Sequence, residues 1–187
     1  MERLQVLKIG GSVLTDKRSG SNELREGLLR EVFSRIRDEL AGPLILVHGG
    51  GTEVHRVAVE YNVAAGAERS STEGFVRTAL EVRRLNLKVI ELMTSSGLLP
   101  FSVPASLAFR TTGGRIRSAN LDPFLASLEH GLIPVTCGDV VFDRELGFTV
   151  LSGDSIAVYL ATKLRAARIV YATDVDGVLA RDPDGRT

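Results

Sequence analysis

The segment KIGGSVLTDK, residues 8–17, combines two lysines with adjacent glycines and has a composition suited to binding a polyphosphate. Gly10 and Gly11 allow backbone N–H groups to point into one concavity, and such a concavity binds anions. Lys8 and Lys17 would neutralise the charge that develops when a phosphoryl group is transferred. The alternative is an ordinary turn with two solvated lysines. The segment is not a P-loop, because no glycine directly precedes Lys17.

A second glycine-rich segment, HGGGTEVH at residues 48–55, predicts a further set of backbone donors. A helix that begins after glycines presents free N–H groups and its positive dipole end to an anion. His55 would lie in the first turn of that helix, where it could donate to a phosphate oxygen, and the alternative is a surface histidine. His48, at the end of the preceding strand, is predicted to be structural. Val54 replaces the third glycine of the dinucleotide fingerprint, which argues against a Rossmann-type NAD site.

Two acidic segments follow further along the chain. Asp154, in LSGDS, has two compatible interpretations: an N-cap of the next helix, or a carboxylate that orients the lysines by ion pairing. The segment TDVDG, residues 173–177, predicts either a turn or a group that meets a nucleotide or Mg²⁺, whose ligands are oxygens. His130, beside Gly131, is predicted to end a helix.

Short apolar runs alternate with segments of helical periodicity. The runs predict strands at 4–9, 44–47, 100–103, 132–136 and 168–172. Helices are predicted at 23–40, 53–61, 72–96, 122–130 and 154–164, and hairpins at 109–117 and 140–151. Thr72 is the predicted cap of the longest helix. All five predicted strands, including the last, are nearly continuous in apolar residues, which is typical of strands buried on both faces. We therefore expect an α/β three-layer αβα sandwich with a mainly parallel central sheet.

The motifs lie where this sheet would bind a ligand. In an open parallel sheet, ligands bind beyond the carboxyl ends of the strands. Glycines and polar residues follow or flank five predicted elements, at Lys8–Ser12, His48–Gly51, Gly138-Asp139, Gly153-Asp154 and Thr173–Gly177. Their convergence on one edge of the sheet indicates a site more strongly than any single motif does.

Composition excludes several classes of function. The 23 basic and 23 acidic residues cancel, so no basic excess predicts a nucleic acid or an anionic membrane as partner. Cys137 is the single cysteine and cannot form an internal disulfide. No segment has the pattern of a signal peptide or the length of a membrane span. We therefore expect a soluble cytoplasmic protein.

Taken together, the motifs resemble those of the amino acid kinase family. KIGGS, a strand ending in GGG, SGD before a helix, and YATDVDGVLARDP occur in the family's order over essentially the whole chain. The combination with HGGGxxxH, CGDVVFD and GFTVLSGDSIA looks most like the isopentenyl phosphate kinase branch. The resemblance implies that ATP, with Mg²⁺, phosphorylates a small phosphate monoester, with isopentenyl phosphate favoured. The alternatives are a fosfomycin-type or other small-molecule kinase of the family, and a non-catalytic nucleotide- or ligand-binding remnant.

The resemblance also implies a role for each motif residue. Lys8 and Lys17 would act on the transferring phosphate, with Asp154 holding them in position. The acceptor would be bound by Gly50, His55 and Gly138. The phosphate channel and the nucleotide would be contacted by Gly10, Gly11, Ser12, Gly51, Thr173, Asp174, Asp176 and Gly177.

Two positions depart from the family pattern. The family form GGGSFGH is GGGTEVH here, and a carboxylate of Glu53 that pointed inward would weaken phosphate binding. The family form SGDD is SGDS, with Ser155 in place of the second acid. Family members continue beyond TDVDG, so residues 1–187 are expected to form one domain that holds the acceptor lobe and the start of the nucleotide lobe, and to bind ATP weakly alone. Relatives usually dimerise through the helix at 72–96, so a homodimer is expected.

Overall fold

The structure is a computed structural model and describes residues 3–15, 23–39 and 41–174. Its strands are β1 (Gln5–Ile9), β2 (Leu44–His48), β3 (Pro100–Ser102), β4 (Phe109–Thr112), β5 (Arg115–Ala119), β6 (Ile133–Cys137), β7 (Asp139–Asp143), β8 (Gly147–Leu151) and β9 (Arg168–Ala172). Its helices are α1 (Gly11–Leu14), α2 (Glu26–Glu39), α3 (Gly51–Glu60), α4 (Thr72–Ser95), α5 (Ala105–Ala108), α6 (Asp122–Glu129) and α7 (Gly153–Lys163), with a 3-10 turn at Val63–Ala65. None of these helices is long and apolar enough to cross a membrane.

A parallel sheet of five strands in the order β3-β6-β2-β1-β9 forms the centre. Its side chains alternate between two apolar clusters, as the pleat of a strand requires. Val6 of β1 packs in one cluster with Ile156 of α7, while Ile9 packs in the other with Phe33 of α2 and Met93 of α4. Helices therefore cover both faces, and the predicted three-layer α/β fold with a mainly parallel sheet is confirmed.

A second sheet, in the order β5-β4-β7-β8, joins the two predicted hairpins. The predicted strands and helices are all present, with bounds shifted by up to three residues.

Both predicted helix caps are wrong. The Ser71 hydroxyl, not that of Thr72, accepts from the N–H of Gly74 at the start of α4, and Ser152, not Asp154, caps α7. A cap needs extended backbone immediately before the first helical residue. Ser71 and Ser152 have that backbone, whereas Thr72 and Asp154 are already helical.

The last strand, β9, is less buried than its apolar sequence predicts. It pairs with β1, and Val170 and Tyr171 are 42% and 41% exposed. An apolar run predicts a strand, but the burial of that strand depends on where it lies in the sheet. The prediction of a fully buried strand at 168–172 is therefore wrong for the part of the chain that the structure describes.

Asp143, at the end of β7, ties the two hairpins together. Its Oδ1 accepts from the N–H groups of Gly113, Glu145 and Leu146 at 2.9–3.0 Å, and its Oδ2 accepts from the N–H of Gly114 at 2.8 Å. Burial acts to raise the pKa of this carboxyl, but these donors outweigh burial and hold the pKa below its usual range. The ionised form is therefore the one that the fold stabilises.

We expect Asp143→Asn to lower the free energy of unfolding by about 1–3 kcal/mol at neutral pH, because an amide cannot accept all four hydrogen bonds. A carboxyl with a depressed folded-state pKa contributes stability above its unfolded-state pKa and loses it as pH falls through the folded-state value. Urea unfolding should therefore show the wild type and the variant converging in acid. Glu31→Gln, at an exposed ion pair with Arg35, serves as the control and should change little. An equal deficit at both pH values would contradict this account of Asp143.

Candidate active site

Glycines bring the carboxyl ends of β1, β2 and β6 into backbone contact. A Cβ on Gly49 would lie 2.6 Å from the amide nitrogen of Gly11, and a Cβ on Gly11 would lie 3.1 Å from that of Gly51. A Cβ on Gly138 would lie 3.1 Å from the amide nitrogen of Gly153, where α7 begins. These glycines are therefore needed for a close approach of backbone, which a bare turn would not require.

The predicted ion pair between Lys8 and Asp154 is present at this edge. Lys8 Nζ lies 2.9 Å from Asp154 Oδ1, and the lysine side chain is mostly buried. The ammonium also lies 3.9 Å from the position that a Cβ on Gly10 would take. The carboxylate therefore fixes a positive charge beside the glycine turn. Lys17, the second predicted cation, lies outside the described residues.

The end of β9 is tied to the same turn. The N–H of Gly10 donates to the carbonyl of Ala172 at 2.8 Å, and Ser12 Oγ donates to Asp174 Oδ1 at 2.6 Å. The structure thus brings Thr173 and Asp174 next to the first glycine segment, as the sequence predicts. Asp176 and Gly177 lie outside the described residues.

His55 lies on the exposed side of α3, over the glycine turn. Its Nε2 is 3.9 Å from the position of a Cβ on Gly50. Glu53, the departure from the family pattern, is engaged by its neighbour: Arg56 Nε donates to Glu53 Oε2 at 3.0 Å. The guanidinium of Arg56 therefore offsets the negative charge whose inward orientation would have weakened phosphate binding.

The other two histidines have the structural positions that the sequence predicts. His48 is fully buried, with Nδ1 2.9 Å from the carbonyl oxygen of Gly49 and Nε2 3.1 Å from Asn86 Oδ1. Burial lowers the pKa of this imidazole, so the ring is neutral near neutral pH. His130 follows α6, with its Nδ1 2.9 Å from the carbonyl oxygen of Ala126.

Tyr171 belongs to this edge, although its sequence position indicates only a strand residue. It is paired in register with Lys8, two residues beyond the pair of Ile169 with Val6. Side chains two residues apart in a strand lie on the same face, and Val6 and Ile169 lie on the face that α7 covers, so Tyr171 and Lys8 lie on that face too. Burial and the Asp154 carboxylate together raise the pKa of its phenol. Strand register is the signal that identifies Tyr171, and register is not visible in the sequence of one strand.

The described part of this edge carries oxygen atoms of the kind that suit Mg²⁺. Among the residues that the structure describes, no group of three or more His, Cys, Asp and Glu side chains could hold a metal ion. Oxygen ligands suit Mg²⁺, and Asp174 and Ser12 supply oxygen atoms beside the glycine turn.

The fold and the glycine-lined edge have known counterparts. A model of the amino acid kinase family matches residues 3–187, and the chain belongs to that family. It is 35% identical over 185 residues to isopentenyl phosphate kinase of Methanothermobacter thermautotrophicus, covering 95% of this chain and 70% of that protein. It is also 33% identical over 180 residues to isopentenyl phosphate kinase of Thermoplasma acidophilum, covering 96% and 71%.

Solved structures agree with the sequence relatives. An X-ray structure of an isopentenyl phosphate kinase superposes with a TM-score of 0.89 at 34% identity, covering 98% of this chain and 78% of that one. Among the sequence relatives, the chain is also 30% identical over 191 residues to acetylglutamate kinase of Shouchella clausii. That alignment covers 92% of this chain and 70% of that protein. The relatives are kinases, and the chain is a phosphotransferase of this type.

We expect Gly49→Ala to lower the free energy of unfolding by about 1–3 kcal/mol, because the new methyl group would press on the backbone of Gly11. Gly27→Ala is the matched control. Gly27 lies in α2, and no atom beyond its own stretch of helix lies within 4 Å of the position that a Cβ would take, so alanine there should add about 0.5–1 kcal/mol. Urea unfolding of both variants checks the pair. Equal stabilities for Gly49→Ala and the wild type would show that the strand ends can move apart.

Proposed function

We propose that the protein transfers the γ-phosphoryl group of ATP to isopentenyl phosphate and forms isopentenyl diphosphate. The observation that carries the proposal is the Lys8–Asp154 ion pair, which lies at 2.9 Å on an edge of three glycine-lined strand ends. His55 lies at the same edge, beside Gly50. The named activity of relatives that align with 95% or more of this chain supports the choice of acceptor.

In the proposed reaction, an oxygen of the acceptor phosphate forms a bond to the γ-phosphorus of ATP. The bond from that phosphorus to the β,γ-bridging oxygen breaks, and ADP leaves with the electron pair. The acceptor is already an anion, so no strong general base is needed and catalysis is positioning with charge neutralisation. Lys8 would contact the transferring group, Asp154 would hold Lys8, and Lys17 would add charge in the transition state.

The acceptor phosphate would lie against the second glycine turn. Helix α3 begins at Gly51, so its free N–H groups and positive dipole end favour an anion there. Gly50 would donate its backbone N–H group, His55 would donate from its ring, and Gly138 would border the acceptor. Each of these groups would contact the phosphate of the acceptor, so none of them would distinguish between acceptors with different tails.

The nucleotide would lie on the β9 side of the same edge. Gly10, Gly11, Ser12 and Gly51 would line the phosphate channel, while Thr173, Asp174, Asp176 and Gly177 would approach the nucleotide. ATP would arrive as its Mg²⁺ complex, and the cation would neutralise charge on the β- and γ-phosphates. We propose that the chain forms the acceptor lobe and the start of the nucleotide lobe of one domain, in the cytoplasm.

A homodimer is proposed through α4. Three apolar side chains of that helix are exposed to solvent: Val76 is 57% exposed, Leu80 is 48% exposed and Leu87 is 56% exposed. Their spacing places them toward one side, where a second copy could cover them. No nucleic acid or membrane partner is proposed.

An ADP-release assay tests the acceptor. The enzyme should phosphorylate isopentenyl phosphate in preference to fosfomycin, acetylglutamate and aspartate, since the proposed site binds a phosphate group.

His55→Ala should raise KM for isopentenyl phosphate by about 10- to 100-fold, because the substitution removes a hydrogen bond to a charged group. His130→Ala, which alters a histidine at the end of α6, should leave the kinetics unchanged.

The outcomes separate the alternatives, which have no better support among the relatives. A preference for fosfomycin would favour a fosfomycin-type kinase. Nucleotide binding in calorimetry without turnover of any acceptor would favour a non-catalytic remnant. Unchanged kinetics in His55→Ala would remove that residue from the acceptor site.

A further inference from the structure

Two side chains on one face of α4 reach the residues that flank the glycine turns. Arg83 Nη2 donates to Asp139 Oδ2 at 2.8 Å and to Ser106 Oγ at 2.7 Å. Asn86, one turn further along, lies 3.1 Å from His48 Nε2. Asp139 directly follows Gly138, and His48 directly precedes Gly49, so one helix contacts both turns.

Asp139 is a buried carboxylate, and both of its oxygen atoms accept hydrogen bonds. Its side chain is 0% exposed. Besides Arg83, it accepts from the backbone N–H of Ser106 at 3.1 Å and from that of Val140 at 2.8 Å. A buried carboxylate is costly unless it is paired and hydrogen-bonded, so these partners strongly restrict where the backbone after Gly138 can lie.

The contact at His48 restrains the other turn. The ring is fully buried, and its Nδ1 lies 2.9 Å from the carbonyl oxygen of Gly49. Asn86 is itself held, since its Nδ2 donates to Ser102 Oγ on β3 at 2.7 Å. The N–H of Gly138 donates to the carbonyl of His48 at 3.0 Å, which links the two turns directly.

We propose that Arg83 and Asn86 are positioning residues that set the spacing between the Gly49–Gly51 turn and Gly138, and thereby the affinity for the acceptor phosphate. Glycines have no side chains with which to hold a turn in place, so the spacing depends on the neighbours of the turns. Neither residue is assigned a contact with substrate. The identity of the acceptor in this inference rests on the proposed function, but the spacing of the turns does not.

The double variant Arg83→Met/Asp139→Asn removes the ion pair without leaving a charge buried. The control is Arg35→Met/Glu31→Gln, an exposed ion pair on α2. We expect the first to raise KM for isopentenyl phosphate by about tenfold, with KM for ATP changed less than about twofold, because misplaced groups lose affinity for the one ligand they bind. The control should alter neither constant.

A merely structural ion pair would give a different result. KM for both substrates would then rise together with a fall in Tm, or neither would change, and either outcome overturns the proposal. If the double variant does not fold, Arg83→Lys and Ser106→Ala decide, because each keeps the charge pair and weakens the geometry. An unchanged KM for the acceptor in both of these variants would also overturn it.

Inorganic phosphate separates this inference from the proposed function. Titrated into ¹⁵N-glycine-labelled protein, it should shift the amide signals of Gly50 and Gly138 whatever the tail of the true acceptor. The shifts should require higher phosphate concentrations in Arg83→Met/Asp139→Asn and the same concentrations as the wild type in Arg35→Met/Glu31→Gln. Equal midpoints in the two variants, or no shift in the wild type, would contradict the positioning role even if isopentenyl phosphate proved not to be the acceptor.

Discussion

Backbone contact between glycine turns is the constraint on which the rest of the site depends. Gly49 lies over Gly11, and Gly138 lies against Gly153, at distances that leave no room for a side chain. Because β1, β2 and β6 are neighbours in a parallel sheet, their turns open toward the same side. The close approach brings these backbone turns together at one edge of the sheet. A larger residue at these positions would spread the turns apart.

Charge at this edge is supplied by a few side chains held from different elements. Lys8 comes from β1 and Asp154 from the first turn of α7, and their ion pair joins a strand to the helix that covers it. Arg83 of α4 engages the buried Asp139 next to Gly138. These ion pairs thus connect the sheet edge to helices on its two sides, α7 through Lys8 and α4 through Asp139.

Much of the fold and part of the site could be predicted from the sequence. Apolar runs and glycine breaks define strands and turns locally, so KIGGS and HGGG could be placed at strand ends before their contacts were known. The caps could not be placed, because Ser71 and Thr72, like Ser152 and Asp154, are all residue types that can cap a helix, and the backbone conformation that selects between them is not visible in the sequence. The position of Tyr171 beside Lys8 and the contact from Arg83 to Asp139 depend on strand register and on helix packing between distant segments. Local periodicity carries no information about either.

A crystal structure of the protein with isopentenyl phosphate tests the central claim most directly. We expect a phosphate oxygen about 2.7–3.2 Å from the backbone nitrogen of Gly50, with His55 as a further donor and Gly138 alongside the phosphate. We also expect the Lys8–Asp154 pair to face the oxygen that attacks ATP. A phosphate bound away from these turns, or bound there only through side chains, would contradict the claim that the glycines at the strand ends form the acceptor site.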